Sequence, residues 1–126
     1  IKRNFGTIEI LKSRARLLVK MNELERAIKD LDRAIEICDG DDDDLFGMRG
    51  HINADLGRDQ EALADFTRVI DRSPEYAMDC YRARSTIYKK LGKEGLALAD
   101  RKKADGLDRK KAEKPVFEMP TSKKRI

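Results

Sequence analysis

Ala27-Ile28-Lys29-Asp30, Ala62-Leu63-Ala64-Asp65 and Ala97-Leu98-Ala99-Asp100 are one phrase written three times, each copy 35 residues after the last. Small residues (Ala15, Gly50, Ser85) stand twelve positions before each alanine. Large ones (Leu11, Phe46, Tyr81) stand four positions earlier again. A fixed period that extends in both directions marks a structural repeat. Between the small residue and the alanine come Met21-Asn22, Leu56-Gly57 and Leu91-Gly92. A large residue followed by Asn or Gly reads as a helix end, because these two residues tolerate the left-handed conformation of a C-cap.

Each unit is therefore a helix, a tight turn and a second helix. Ile8, Leu11, Ala15 and Leu18 fall at steps of three and four, as do Leu24, Ala27, Ile28, Leu31, Ala34 and Ile35, which defines two amphipathic helices. The small positions predict a close crossing, with Gly50 facing Ala62.

These residues resemble the tetratricopeptide repeat, whose signature runs along a helix-turn-helix unit. Unit two carries it best, with Phe46, Gly50, Leu56, Gly57, Ala62, Phe66 and Pro74. Unit three has Tyr81, Ser85, Tyr88, Leu91, Gly92 and Ala97 but places Arg101 where an aromatic belongs. Unit one has Leu11, Ala15, Leu18, Ala27, Leu31 and Ala34 but Asp39 in place of the closing proline. The resemblance covers about residues 8 to 108. It implies an all-α protein, an α-solenoid of antiparallel hairpins coiled as a right-handed superhelix, with an extended C-terminal tail. The expected division is a lead-in at 1–7, units at 8–42, 43–77 and 78–113, and the tail at 114–126.

The ends are read separately. Arg101, Lys102, Lys103 and Arg109 make the last helix polar on its outer side, as a terminal repeat requires. Leu107 to Lys114 offers a short solvating helix, bounded by Gly106 and Pro115. At the other end Ile1 in place of Met reads as a fragment or a processed product.

Charge is distributed unevenly. Residues 1–100 hold 18 basic and 20 acidic side chains, and residues 101–126 hold 10 basic and 4 acidic, so the positive excess lies in the last helix and tail. With 41% charged and 40% hydrophobic residues, and no long apolar run, the chain reads as intracellular and most consistent with the cytoplasm, without a membrane span. The prolines at 115 and 120 predict an extended tail wrapped over a neighbour or over its own repeats. Val116, Phe117 and Met119 would anchor it, and Lys123, Lys124 and Arg125 offer a small basic contact.

No constellation for catalysis, a cofactor or a metal stands out. His51 is the single histidine. Asp39-Gly40-Asp41-Asp42-Asp43-Asp44 lacks the glutamate that a calcium loop needs at its twelfth position. It reads instead as an inter-hairpin turn, with Gly40 closing one helix and Asp42 to Asp44 facing the positive end of the next. Ser73-Pro74-Glu75 reads as an N-cap, a first-turn proline and a first-turn acid. Cys38 and Cys80 read as two buried thiols.

The expectation is thus a non-enzymatic scaffold or adaptor that binds a peptide or partner subunit in its concave groove, as a peripheral or assembly subunit of a larger complex. In the family the first helix of each unit lines a concave groove. Register maps that face to Glu9, Lys12, Arg16 and Lys20, to Asp44, His51 and Asp55, and to Asp79, Arg82, Thr86, Lys89 and Lys90. Members that clamp the C-terminal carboxylate of cytosolic chaperones need Lys, Asn and Arg donors, whereas the matching positions here are Lys12, Arg16, Met48, Asp79 and Ala83. Only Lys12 agrees, which argues against that use. The alternative is RNA binding, either as a pentatricopeptide-like repeat, which shares the period, or through the basic C-terminal segment. A repeat body with net charge −2 is a poor cradle for phosphate.

Overall fold

The computed structural model describes the backbone of residues 5–113. Six α-helices follow one another: α1 (Phe5–Lys20), α2 (Leu24–Ile37), α3 (Asp43–Asp55), α4 (Asp59–Arg72), α5 (Met78–Lys90) and α6 (Glu94–Glu113). They form three hairpins, α1 with α2, α3 with α4 and α5 with α6, and each hairpin packs on the next through α2 against α3 and α4 against α5. This is an all-helical solenoid.

The hairpin turns come from three copies of one local device. Asn22, Gly57 and Gly92 adopt positive φ (62°, 79° and 80°). The next residue's amide then reaches back five positions: Glu23 N to Leu18 O, Arg58 N to Asn53 O and Lys93 N to Tyr88 O, each 2.8 Å. These bonds take up carbonyls that the helix end leaves without partners. The acidic turn also behaves as its sequence predicts. Gly40 has φ 71°, and Asp42 caps α3 by accepting a 3.0 Å hydrogen bond from the Asp44 amide.

Two local expectations are corrected. Ser73 does not cap a helix with its side chain, because Pro74–Tyr76 forms a single 3-10 turn and α5 begins only at Met78. The Ser73 hydroxyl instead donates to Asp43 Oδ2 at 3.3 Å. Nor do residues after Gly106 form a separate solvating helix, since α6 runs unbroken through Gly106 to Glu113. A helical glycine costs about 1 kcal/mol relative to alanine without ending the helix. Burial of Ala104 and partial burial of Leu107 against the third hairpin's core offset that cost. The tail, 114–126, lies outside the described residues, and with it Val116, Phe117, Met119, Lys123, Lys124 and Arg125.

The core is built as two successive clusters. Ile8, Leu11, Ala15 and Leu18 bury against Ala27, Ile28, Leu31 and Ala34, and Leu45 and Ile52 of α3 close the same cluster. Phe66, Ile70, Cys80, Tyr81 and Ile87 form the next one. Cys38 and Cys80 are both buried free thiols. The atoms nearest to Gly50 belong to the ring of Phe66: a Cβ placed on it would lie 2.8 Å from Phe66 Cε1. Ser85 fills the equivalent position in unit three, where its hydroxyl donates to the Ala97 carbonyl at 3.0 Å and is satisfied.

A polar fork repeats inside each hairpin. Arg14, Arg49 and Arg84 hold Asp30, Asp65 and Asp100, respectively, through two bonds each, at 2.6–2.8, 2.9–3.1 and 2.7–2.8 Å. All three carboxylates are buried. Such planar pairing is directional as well as strong.

Two measurements test this packing. Gly50→Leu overfills the crossing and lowers stability by about 1–3 kcal/mol, read as a lower urea midpoint; a parent-like midpoint would contradict the contact with Phe66. Arg84→Ala strands the buried Asp100 carboxylate and costs about 3 kcal/mol, the low end for a broken buried pair because the guanidinium keeps some water contact. Arg84→Met with Asp100→Leu restores most of that loss in the same denaturation experiment, because no buried charge is left without a partner.

Candidate protein-binding groove

The first helices α1, α3 and α5 line one side of the solenoid. α1 packs on α2; α3 and α5 each sit between their own partner and the preceding hairpin, and α3 also touches α5. By register the candidate groove side chains lie on the outward faces of these helices, away from the buried positions beneath.

The candidate groove residues fall into two groups. Arg16, Lys20, Asp55 and Lys89 are exposed and carry no ion pair among the described residues. His51 is also exposed, its ring meeting the buried Phe66 ring edge-on with centroids 4.9 Å apart. Thr86 is exposed and its hydroxyl donates back to the Arg82 carbonyl at 3.1 Å, the usual local bond of a helical threonine. These side chains are held on rigid helices with their polar ends toward solvent.

The second group is already engaged within the fold. Lys12 is buried, with Nζ at 3.2 Å from Asp42, 3.5 Å from Asp44 and 3.7 Å from Glu9. Burial lowers the pKa of its ammonium, but the hydrogen bond to Asp42 and the charges of Asp42, Asp44 and Glu9 outweigh burial and raise it above the ordinary value. Lys12 thus ties α1 to the acidic turn before α3. Arg82 lies 3.7 Å from Asp105 and 3.6 Å from Asp108 of α6, and Lys90 reaches Asp59 of α4 at 3.0 Å. Of the carboxylate-clamp positions, Met48 and Ala83 pack partly buried against the core clusters, and Asp79 is exposed.

Sequence reasoning passed over Arg49 and Arg68, which join the first two hairpins. Arg49 Nη1 donates to Asp32 of the preceding hairpin at 2.8 Å while the same side chain holds Asp65. Arg68 lies over the Phe46 ring at 4.3 Å and donates to the Gly40 carbonyl at 2.6 Å. The signal for the first was present, since Arg14, Arg49 and Arg84 keep the 35-residue step.

Three stacked hairpins, three left-handed turns and one repeated core register define the described array. The family model of the tetratricopeptide repeat matches residues 9–41 and 44–76. This chain belongs to that family. Its third hairpin lies beyond the matched residues yet keeps the same plan, with Arg101 exposed where Phe66 is buried one unit earlier. A search of curated proteins finds no match. Among solved structures, MamA is similar with a TM-score of 0.77 at 23% identity, over 83% of this chain and 60% of that one. The chain therefore spans less than two thirds of MamA. The second tetratricopeptide domain of Spaghetti (RPAP3), bound to the HSP90 peptide SRMEEVD, is similar with a TM-score of 0.74 at 27% identity, over 80% of this chain and 92% of that one. No helix among the described residues is long and apolar enough to cross a membrane.

Cys80, at the start of α5, supplies a pH test of the fold that carries the groove. Burial, with the Asp79 and Asp43 charges added and Arg84 opposing, pushes its thiol up from 9.0 to about 11. The folded state disfavours the thiolate, so this contribution to stability is complete below pH 9 and is lost as pH rises toward 11. Cys80→Ala flattens the decline of the urea midpoint across that window, and native protein at pH 8 leaves Cys80 unalkylated by iodoacetamide. Rapid native alkylation would contradict the burial.

Proposed function

We propose that this chain is a non-catalytic interaction module, a scaffold or adaptor that seats an extended peptide or charged helix of a partner protein in the groove of α1, α3 and α5. The observation that carries this reading is the exposed, mixed-sign set Arg16, Lys20, Asp55 and Lys89 on rigid first helices, with His51 and Thr86 among them. Mixed charge on a preorganised surface favours specificity and encounter rate by complementarity. A partner subunit within an intracellular, cytoplasmic complex fits such a surface, because the module supplies position rather than chemistry.

The chaperone-peptide use of the Spaghetti domain does not carry over to these residues. A C-terminal carboxylate approaching the groove would find Lys12 already surrounded by three carboxylates, Met48 without a donor and Asp79 with like charge. A second reading, nucleic-acid binding, draws on exposed Arg101, Lys102, Lys103, Arg109 and Lys110 along α6. It concerns the last helix and the tail, whereas the repeat body carries a slight negative balance.

Affinity capture from native extract, with and without nuclease, separates the two readings. Proteins that persist after nuclease treatment support the scaffold, and capture of RNA whose loss also removes the proteins overturns it. Arg82→Glu with Lys89→Glu lowers partner capture while leaving the thermal midpoint close to the parent, since the ion pairs of Arg82 are exposed and contribute little. The peptide SRMEEVD is expected to show no saturable binding by calorimetry, and saturable binding would contradict the reading of Lys12, Met48 and Asp79. Unchanged capture by the double variant would move the contact off this face.

A further inference from the structure

Unit two is clasped around Phe46 by two arginines of α4. Arg68 lies over the Phe46 ring at 4.3 Å and donates to the Gly40 carbonyl, while Arg72 reaches Asp41 at 3.6 Å and Asp43 at 3.4 Å. One period later the arginines are Lys103 and Leu107, the ring is Tyr81 and the glycine is Glu75. Leu107 packs partly buried on the core, and Lys103 is exposed with no ion pair among the described residues. Lys102 likewise stands where Thr67 accepts from Arg84 at 3.0 Å. The clasp is missing from unit three, and a cleft of about 560 Å³ opens between the turn at Pro74, Tyr81 and α6.

The α6 wall of this cleft is cationic. Lys102, Lys103, Arg109 and Lys110 line it, all exposed and none in an ion pair among the described residues. The acids of the same stretch, Asp105 and Asp108, lie beside Arg82 instead. Gly106 falls at the middle of the cationic face, and nothing lies within 4 Å of where its Cβ would stand. Two cations sit one turn before it and two sit one turn after, so the pairs are about 10 Å apart along the helix. Four like charges around a notch repel one another, and a ligand negative at both ends relieves that repulsion.

The other wall selects the kind of anion. Glu75 lines it, and its carboxylate repels a phosphate chain but accepts from a peptide N–H. Tyr81 is 7% exposed, too buried to serve as a stacking platform for bases. The chain's own residues 114–126 bring four basic side chains and one acid, so charge opposes them as occupant. We propose that this cleft, which shares no residue with the candidate groove, binds an extended acidic segment of a partner protein, with two carboxylates three positions apart and an apolar residue between them. In a polyproline II strand residues three apart share one face at about 9 Å, which matches the two cation pairs. The apolar residue leans toward Leu107 and Tyr81.

The probe is a fluorescein-labelled peptide, GSEPLEPG, titrated into the full chain at low salt and read by anisotropy. Saturable binding is expected, with shifts of the Leu107 methyls and affinity at least about tenfold weaker for GSKPLKPG. Gly106→Glu sets a carboxylate among the four cations and lowers affinity at least about tenfold, whereas Gly106→Lys retains or raises it. Both residues favour a helix over glycine, so unfolding mimics neither result. Lys89→Glu leaves this binding unchanged, which lets the cleft and the groove reading fail separately. Absence of saturable binding, equal affinity of the two Gly106 variants or loss of binding in Lys89→Glu would overturn the proposal. So would an oligouridylate that binds the cleft more tightly than the peptide, or nuclear Overhauser contacts from Val116 or Phe117 to Leu107 in the free chain, since the cleft would then belong to nucleic acid or to the tail.

Discussion

The Arg–Asp fork within each hairpin is the constraint on which the rest of the structure depends. Apolar packing between two helices is tolerant of sliding, because a stripe of Leu, Ile and Ala fits several registers. A planar guanidinium holding a buried carboxylate through two bonds fits one. Arg49 on Asp65 fixes α3 against α4, and the third bond, to Asp32, fixes that hairpin against the one before. One side chain thereby sets both the pairing inside a unit and the step between units. The cost is burial of charge, which contributes to stability only while both partners are present.

Close approach depends on the same register. Gly50 sits against the Phe66 ring with no room for a side chain, and Ser85 is tolerated at the equivalent position because Ala97 accepts its hydroxyl hydrogen. A slide of one residue would put Arg49 or His51 where Gly50 lies. The small residue and the arginine before it therefore act together: the first permits the crossing, and the second specifies it. The same step carries Asn22, Gly57 and Gly92, whose left-handed turns bring each second helix back at one geometry.

Most of the fold is legible in the sequence because it is written in residue types with few alternative uses. Glycine or asparagine after a large residue, alanine at a crossing and a phrase at constant spacing each admit one structural explanation. Charged residues admit several, and that is where reading stops. Asp30, Asp65 and Asp100 stand inside the repeated phrase and Arg14, Arg49 and Arg84 keep its step, yet charge on a helix is by default a solvated face. Lys12 shows the same ambiguity from the other side: its register places it in the groove, but the N-terminus of α3 closes over it with the cap residue Asp42 and first-turn Asp44. Helix periodicity assigns a direction to a side chain and carries no information on what a distant loop brings to it. Gly106 misled for a related reason, since a glycine breaks a helix only when the chain beyond it has nothing to pack on.

The outer faces of α1 and α6 differ in kind, and the difference follows from the fork. A repeat offers its successor an acceptor at the position of Asp32 or Thr67 and an apolar second helix; α6 offers Lys102 and an exposed Arg101 in their place. Further stacking at that end would oppose a lysine to the next arginine, so the polarity that solvates the last helix also terminates the ladder. α1 has no such substitution. It keeps the arginine, the aspartate and, in Ile10, Leu17 and Met21, the apolar stripe that every internal repeat uses to receive its predecessor. A helical repeat carries its own interface in each unit, so a first helix that has not been recoded retains the chemistry of the interior, and its outer face keeps the same acceptor requirement that sets the step between units.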